Sequence, residues 1–204
     1  MSTNLLPKDI VLASHNAGKL DELRLLLAPL AINIHTAKDF AIDAIEETGK
    51  GFVENALLKA RHVSEQTGLA ALADDSGLCV DILQGAPGVF SARYADPHSD
   101  QANIDKLLET LKTTPEIDRT AYFYCALVLV RHPNDPTPII SEAIWRGRIL
   151  TKAEGSNGFG YDPIFKPQGH QHAVASLDNQ VKQTQSHRAK ALMLLKQKLA
   201  QQYV

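Results

Sequence analysis

The sequence predicts an α/β fold built on a mixed β-sheet. Short apolar runs alternate with stretches that repeat apolar residues at helical spacing, which is typical of parallel strands joined by helices. Two longer apolar segments are separated only by a turn and predict an antiparallel hairpin, so a sheet that holds both kinds of pairing is mixed. The 204 residues are enough for one domain whose core needs no disulfide.

The first part of the chain supplies strands and helices in alternation. The predicted elements are, in order, a strand at 10–13, a helix ending near Pro29, a strand at 32–34, a helix from Phe52 to Thr67 that Gly68 stops, and a strand at 69–73. Glycine favours the left-handed conformation that ends many helices, which is why Gly68 is taken as the stop signal.

The second part supplies the hairpin and two more helices. Ser99 or Asp100 caps a helix, strands at 121–130 and 139–149 flank a turn at 133–136, and Ser186 caps a last helix with Leu192, Leu195 and Leu199 on its apolar stripe.

Composition excludes several classes of protein. Cys79 and Cys125 lie apart, each in an apolar run, which predicts reduced, buried thiols and a cytoplasmic location. The first nine residues lack the apolar stretch of a signal peptide, and the longest apolar run, about 126–130, is far too short to span a membrane. A net charge of −2 argues against nucleic acid as the ligand.

A polar turn follows the first strand and leads directly into a helix. Its residues, Ser14-His15-Asn16-Ala17-Gly18-Lys19, would present backbone N–H groups and one lysine to a phosphate. The spacing is not that of a Walker A loop. Helix capping by Asn16 explains the same residues equally well, so the local sequence leaves both interpretations open.

Two pairs of adjacent carboxylates are candidates for a metal site. Glu46-Glu47 lies in an irregular stretch, and Asp74-Asp75 ends an apolar run, where α/β folds place ligands. Crowded carboxylates repel each other, and Mg²⁺ relieves that repulsion while bridging phosphates. However, Asp74-Asp75-Ser76-Gly77 is also good turn chemistry, so a purely structural turn remains an alternative.

Two further motifs could recognise a base. In Gly158-Phe159-Gly160-Tyr161-Asp162-Pro163 the aromatic rings could stack on a base and Asp162 could accept hydrogen bonds, or the rings could belong to the core. Ser186-His187-Arg188 could donate hydrogen bonds to a purine carbonyl, or simply begin the last helix.

Taken together, these motifs resemble the inosine/xanthosine triphosphate pyrophosphatase family. The matching blocks occur in the family's order over nearly the whole chain: Ser14-x-Asn16-x-x-Lys19, Glu46-Glu47-Thr48-Gly49 with Glu54-Asn55-Ala56, residues 73–78, residues 85–94, residues 158–163, and Ser186-His187-Arg188. Ser14-His15-Asn16 departs from the family's frequent Thr-Gly-Asn, which puts a bulkier side chain beside the loop.

The resemblance implies a single two-lobed domain over residues 1–204, with helices flanking the sheet, the active-site cleft between the lobes, and a homodimer. It implies Mg²⁺-dependent hydrolysis of ITP, dITP and XTP to the monophosphate and pyrophosphate. By this resemblance the residues that bind the phosphates are Ser14, His15, Asn16, Ala17, Gly18, Lys19 and Lys59. Glu46 and Asp75 would bind the metal, Asp75 would also act as the general base, and Ser76 would contact the substrate. The residues that bind the purine ring would be Phe159, Gly160, Tyr161, Asp162, Lys182, His187 and Arg188.

Other functions are compatible with parts of this pattern. A general nucleotide or nucleotide-sugar phosphatase could use the same carboxylates. A nucleotide-binding regulator would need no general base, so the combination of Glu46 and Asp75 argues against it. Nucleic-acid binding, suggested by the basic segment from 179 to 204, is disfavoured because aromatic residues make up only 6% of the chain.

Overall fold

The structure is a computed structural model that describes residues 7–30 and 32–201. Six strands form one sheet in the order β2-β1-β3-β4-β5-β6. Their bounds are β1 Asp9–Leu12, β2 Asn33–Thr36, β3 Ala70–Val80, β4 Thr120–Val130, β5 Ile139–Ile149 and β6 Phe165–Pro167. The α-helices are α1 Ala17–Leu27, α2 Phe52–Thr67, α3 Asp100–Thr110, α4 Asn179–Gln185 and α5 His187–Gln201.

The pairing of the strands confirms the mixed sheet. Strand β1 runs parallel to both β2 and β3, whereas β5 and β6 are antiparallel. The two segments predicted as a hairpin, β4 and β5, are neighbours in the sheet. Helices connect β1 to β2 and β2 to β3, as the alternation of apolar runs and helical stripes indicates.

The chain divides into two compact units. The first takes its described residues from Met1–Asp75, Cys125–Ala143 and Arg188–Val204. Its core joins β1 and the adjoining strands to one face each of α1 and α5, with Leu23, Leu27, Leu192 and Leu195 almost completely buried. Leu192 and Leu195 lie on the apolar stripe that helical spacing predicts for the last helix, since side chains three or four residues apart share one helix face.

The second unit comprises Ser76–Tyr124 and Ile144–His187. Helix α3 packs Ile104 and Leu107 into a core that also holds Trp145, Ile149 and Phe165. Ser99 begins α3 by accepting a hydrogen bond from the backbone N–H of Ala102, which confirms the predicted cap.

Strand β3 is longer than the sequence predicts. The sequence predicts that the strand ends near Ala73 and that residues 74–77 form a strand end or a turn. Instead β3 continues to Val80, and Asp74 and Asp75 lie inside it, both buried. The strand continues because Leu78 and Val80 are fully buried in the second core and because cations neutralise the aspartates.

Some elements carried too weak a signal to be predicted. Strand β6 has only three residues, and α4 only seven, capped by Asp178 through the N–H of Gln180. By contrast α2 has the predicted bounds, and Gly68 ends it with φ +70°. Cys79 and Cys125 are free and buried, as expected. No helix in the described ranges is long and apolar enough to cross a membrane.

Candidate active site

A lysine joins two carboxylates in the first unit. Lys59 Nζ lies 2.7 Å from Asp75 Oδ1 and 2.8 Å from Glu47 Oε1. Burial alone would lower the pKa of Lys59, but the carboxylates of Asp75 and Glu47 outweigh it and raise that pKa. Lys59 is therefore a fixed ammonium group that holds two carboxylates together.

One of the two carboxylate oxygens of Asp75 has no hydrogen-bond partner among the described residues. Its Oδ1 is bound by Lys59, while Oδ2 is buried and has no hydrogen-bond partner among the described residues. Burial raises the pKa of the Asp75 carboxyl, against the opposing effect of Lys59 and Lys19. A buried carboxylate oxygen without a partner is unfavourable unless a ligand, metal ion or water occupies the place beside it.

Both carboxylate oxygens of the neighbouring Asp74 are bound by other side chains. Asp74 Oδ1 lies 2.7 Å from Lys19 Nζ, and Oδ2 accepts hydrogen bonds at 3.0 Å from Arg188 Nε and from the Cys125 thiol. Burial would raise the pKa of Asp74, but Arg188 and Lys19 hold it well below its usual range. Asp74 is therefore ionised at neutral pH and paired on both oxygens, and Asp75 is the carboxylate with an oxygen available to a ligand.

The Arg188 guanidinium lies in this same cluster. Its Nε bonds to Asp74 and its Nη1 to Glu22, and the side chain is 1% exposed. The resemblance places Arg188 at the base. The structure ties it to Asp74 and Glu22, and a contact with the base stays a prediction.

The turn before α1 shows the capping geometry that the sequence allowed. Asn16 Oδ1 accepts a hydrogen bond at 3.0 Å from the backbone N–H of Lys19, and Ala17 and Gly18 begin the helix. Ser14 is buried, and its hydroxyl accepts from the N–H of Asn16 at 3.3 Å. The capping interpretation is confirmed, and it leaves phosphate binding by this loop as a prediction.

The bulky His15 contacts another segment of the same unit. Its Nε2 lies 2.9 Å from the carbonyl oxygen of Ile42, which links the turn at 14–16 to the stretch that leads to the two glutamates. His15 is otherwise exposed. The side chain thus has a structural contact where the family pattern often has glycine.

Glu47, not its neighbour, is the glutamate found beside Asp75 and Lys59. Glu46 is exposed, whereas Glu47 is half-buried and paired with Lys59. Asn55 fixes this segment, since its Oδ1 accepts from the N–H of Gly49 at 2.8 Å. Asn55 and Lys59 are four residues apart and so share one face of α2. The sequence names both glutamates as candidates and cannot choose between them, because only contacts that form on folding distinguish the two adjacent residues; Glu46 as the metal ligand stays a prediction.

A second group of predicted residues comes together in the second unit. Lys182 Nζ lies 2.7 Å from Asp162 Oδ2 and 4.3 Å from the centre of the Phe159 ring. Asp162 Oδ2 also accepts from the N–H of Phe159 at 3.0 Å. Gly158 has φ +82°, and a Cβ there would lie 2.1 Å from Asp162 Oδ2, so the loop requires glycine at this position.

The two aromatic residues of this loop have different environments. Tyr161 is 4% exposed, packs in the second core and donates a hydrogen bond to the Ser91 carbonyl at 2.9 Å. Phe159 is half-buried, so of the two rings predicted to stack on a base only that of Phe159 is accessible. Gly160 donates its N–H to Asp100 Oδ2 at 2.7 Å, and Ser76 is half-buried in β3.

His187 is also placed by an aromatic contact. Its ring stacks on Phe123 with centroids 4.9 Å apart and planes 13° apart, and the residue is 6% exposed. It ends the second unit, directly before Arg188 in the first.

Within residues 7–30 and 32–201, no group of three or more His, Cys, Asp or Glu side chains is placed to hold a metal ion. Mg²⁺ commonly takes only one or two protein carboxylates and completes its shell with water and phosphate oxygens. A site made by Asp75 with one glutamate fits that pattern of coordination. The unpartnered Oδ2 of Asp75 is the atom that such an ion would satisfy.

Comparison with known sequences gives matches over nearly the whole chain. A dITP/XTP pyrophosphatase of Vibrio vulnificus (strain YJ016) is 53% identical over 92% of this chain and 94% of its own length. One of Pseudomonas syringae pv. tomato is 52% identical over 95% of this chain and 98% of its own.

Solved structures agree with the fold. A HAM1 protein from Coxiella burnetii superimposes with a TM-score of 0.87 at 48% identity, covering 95% of this chain and 98% of its own. A nucleoside-triphosphatase / dITP/XTP pyrophosphatase from Mycobacterium abscessus gives a TM-score of 0.75 at 41% identity, covering 92% and 97%. The Ham1 family model matches residues 10–198. With this match and relatives that are half identical over nearly their full length, the chain belongs to the Ham1 family.

Proposed function

We propose that this protein hydrolyses deaminated purine nucleoside triphosphates, namely ITP, dITP and XTP, to the monophosphate and pyrophosphate, and so keeps these nucleotides out of DNA and RNA. The observation that carries the proposal is the near-complete match to relatives named dITP/XTP pyrophosphatase. The cluster of Asp75, Lys59 and Lys19 supports it, since cleavage of a phosphoanhydride needs charge neutralisation and a positioned water rather than a covalent nucleophile.

In this mechanism Asp75 orients the attacking water and accepts its proton. The raised pKa of its carboxyl suits that task, because a base is most effective when its pKa is closer to the working pH. Lys59 and Lys19 stabilise negative charge on the phosphates, and the N-terminus of α1 with Ser14, His15, Asn16, Ala17 and Gly18 adds backbone donors. Ser76, next to Asp75, would contact the substrate.

We assign the metal to Asp75 with a glutamate of the segment 46–47. The donor atoms are hard carboxylate oxygens, which are the ligands that Mg²⁺ prefers. Bound there, Mg²⁺ would supply neutralisation of the phosphate oxygens. Glu46 is the ligand that the resemblance implies, but Glu47 is the one whose carboxylate shares Lys59 with Asp75, so we favour Glu47.

Phe159, Lys182 and Asp162 are proposed to receive the base. Phe159 offers a ring face for stacking, and donors at Lys182 and His187 favour the 6-carbonyl of hypoxanthine and xanthine over the 6-amino group of adenine. The backbone of Gly160 and Tyr161 shapes this loop, and Arg188 remains the predicted additional donor. The homodimer and the cytoplasmic location stay predictions.

A substrate panel tests the proposed activity. ITP, XTP, dITP, GTP and ATP are incubated with the protein and Mg²⁺, and pyrophosphate and orthophosphate are measured separately. We expect pyrophosphate from ITP, dITP and XTP, at rates well above those with ATP and GTP. Release of orthophosphate, or equal rates with all five, would instead favour the general nucleotide phosphatase.

Paired variants decide which glutamate serves the metal. We expect Glu47→Gln to lower kcat/KM for ITP by about 10-fold or more, since it removes the carboxylate that shares Lys59 with Asp75. Glu46→Gln, the matched control at the exposed neighbour, should change it by less than about 2-fold. Steady-state kinetics over a range of Mg²⁺ concentrations measure both. A larger loss of kcat/KM in Glu46→Gln than in Glu47→Gln would instead identify Glu46 as the metal ligand.

Removal of the stacking ring should affect all purines alike. Phe159→Ala is expected to raise KM for ITP and for ATP by similar factors, about 5- to 150-fold, because stacking is insensitive to ring substituents. Phe40→Ala, at an exposed phenylalanine of the first unit, is the control. If KM stayed at the control's value for both nucleotides, Phe159 would be a structural residue of its loop.

A further inference from the structure

A separate group of cations lies on the sheet of the second unit, on the face opposite its core. Arg146 and Arg148 alternate along β5 with Trp145 and Ile149, which are buried. Side chains alternate between the two faces of a strand, so the arginines share the outer face. Lys166 of β6 is the register partner of Arg148 and lies on the same face.

These residues line a cavity of about 480 Å³. The residues around it are mostly polar, and the cationic side chains are Arg146, Arg148 and Lys166, with His170 at the edge; Asp81 is the one acidic residue in the lining. The volume falls within the range of small-molecule sites, roughly 300–1,000 Å³. The cavity is therefore large enough for an anion of several atoms and carries an excess of positive charge.

The positive charge is poorly neutralised by the protein. Arg148 and Lys166 stand directly opposite each other on adjacent strands, and like charges in that position destabilise a sheet. No carboxylate within the described part of the chain pairs with Arg146 or Arg148. Lys166 reaches only Glu116, at 3.7 Å, and that carboxylate is half-exposed. An anion in the cavity would relieve this repulsion.

The site is also held in shape before any ligand arrives. The Arg146 guanidinium lies 5.5 Å from the centre of the Tyr122 ring, which orients it by a cation–π contact. Gly147 allows β6 to approach closely, since a Cβ there would lie 2.3 Å from the Lys166 carbonyl oxygen. His170 Nε2 lies 3.0 Å from Gln185 Oε1. Such preorganisation lowers the entropy lost on binding.

We propose that this cavity is a second anion site, distinct from the Asp75 cluster, and that it binds a diphosphate group. Residues two apart on a strand are separated by about 6.6 Å, so Arg146 and Arg148 together span more than one phosphate. Arginine suits phosphate because its guanidinium can donate two parallel hydrogen bonds. No Phe, Tyr or Trp is among the described residues that line the cavity, so it offers a base no such ring to stack on. The ligand is thus recognised by its diphosphate, as free pyrophosphate or as the end of a nucleoside diphosphate.

Calorimetric titration with pyrophosphate, without divalent cations, tests the site. The wild-type protein is expected to show two classes of binding site, one of them at the lysines of the first unit. Arg146→Ala/Arg148→Ala should weaken one class by at least about 10-fold and leave kcat and KM for ITP within about 2-fold. The control Arg61→Ala, at an exposed arginine of α2, should keep both classes. If the double variant titrated like this control, the second site would not exist.

A parallel titration with IDP separates the two sources of the diphosphate. The double variant should lose affinity for IDP and for pyrophosphate by similar factors, because only the diphosphate is contacted. A loss for IDP alone would overturn the assignment to a bare diphosphate group. Binding is measured directly, so the result stands whether or not the protein hydrolyses ITP, and a Tm equal to that of Arg61→Ala shows that the variant is folded.

Discussion

Replacing Asp75 by Asn should lower kcat for ITP by about 100-fold or more while the fold and nucleotide binding persist. The amide has nearly the same shape as the carboxylate, and it retains an oxygen for Lys59. It cannot accept a proton from water, and it is a poor ligand for a metal ion. The buried Oδ2, which no described residue satisfies, is the atom whose chemistry is lost. Steady-state kinetics with ITP give kcat, and calorimetry with the uncleaved nucleotide gives binding.

The control for this variant is Asp43→Asn, at an exposed aspartate of the same unit. It changes net charge equally but should leave kcat within about 2-fold. Near-normal turnover by Asp75→Asn, with the control also normal, would remove Asp75 from the mechanism, both as the general base and as the proposed metal ligand.

The sequence predicts helices and caps well here because their determinants are local. Gly68 ends α2 through a backbone conformation that glycine adopts easily, and Asn16 and Ser99 each bond to an N–H three residues ahead. The apolar stripes of α1 and α5 are equally local. Such features need no knowledge of the rest of the chain.

Asp74 and Asp75 show where local reasoning fails. The residues 74–77 have the composition of a turn, yet they continue a strand. The partner that decides the matter for Asp74 is Arg188, 114 residues away. The choice between Glu46 and Glu47 likewise depends on Lys59, twelve residues away, and on Asn55. Side chains that become neighbours only after folding leave no trace in a local pattern.

The same long-range contacts predict that Arg188 is essential for stability. Arg188→Ala should lower the free energy of unfolding by about 3–5 kcal/mol, because it leaves the buried Asp74 carboxylate without one of its two cations. In the wild-type protein Arg188 and Lys19 hold the pKa of Asp74 well below its usual range against the effect of burial, so the carboxylate is ionised at neutral pH and loses a favourable charge pair when Arg188 is removed. Denaturation by urea measures the change.

Arg61→Ala is the matched control, and on the exposed face of α2 it should shift the free energy by no more than about 0.5 kcal/mol. Arg188→Lys should fall between the two, since an ammonium keeps the charge but cannot reproduce the guanidinium's simultaneous bonds to Asp74 and Glu22. The ratio of kcat/KM for ITP to that for ATP, measured where Arg188→Ala is fully folded, tests the predicted contact with the base. Wild-type stability in Arg188→Ala would contradict the anchoring role, because it would mean that Lys19 alone neutralises Asp74.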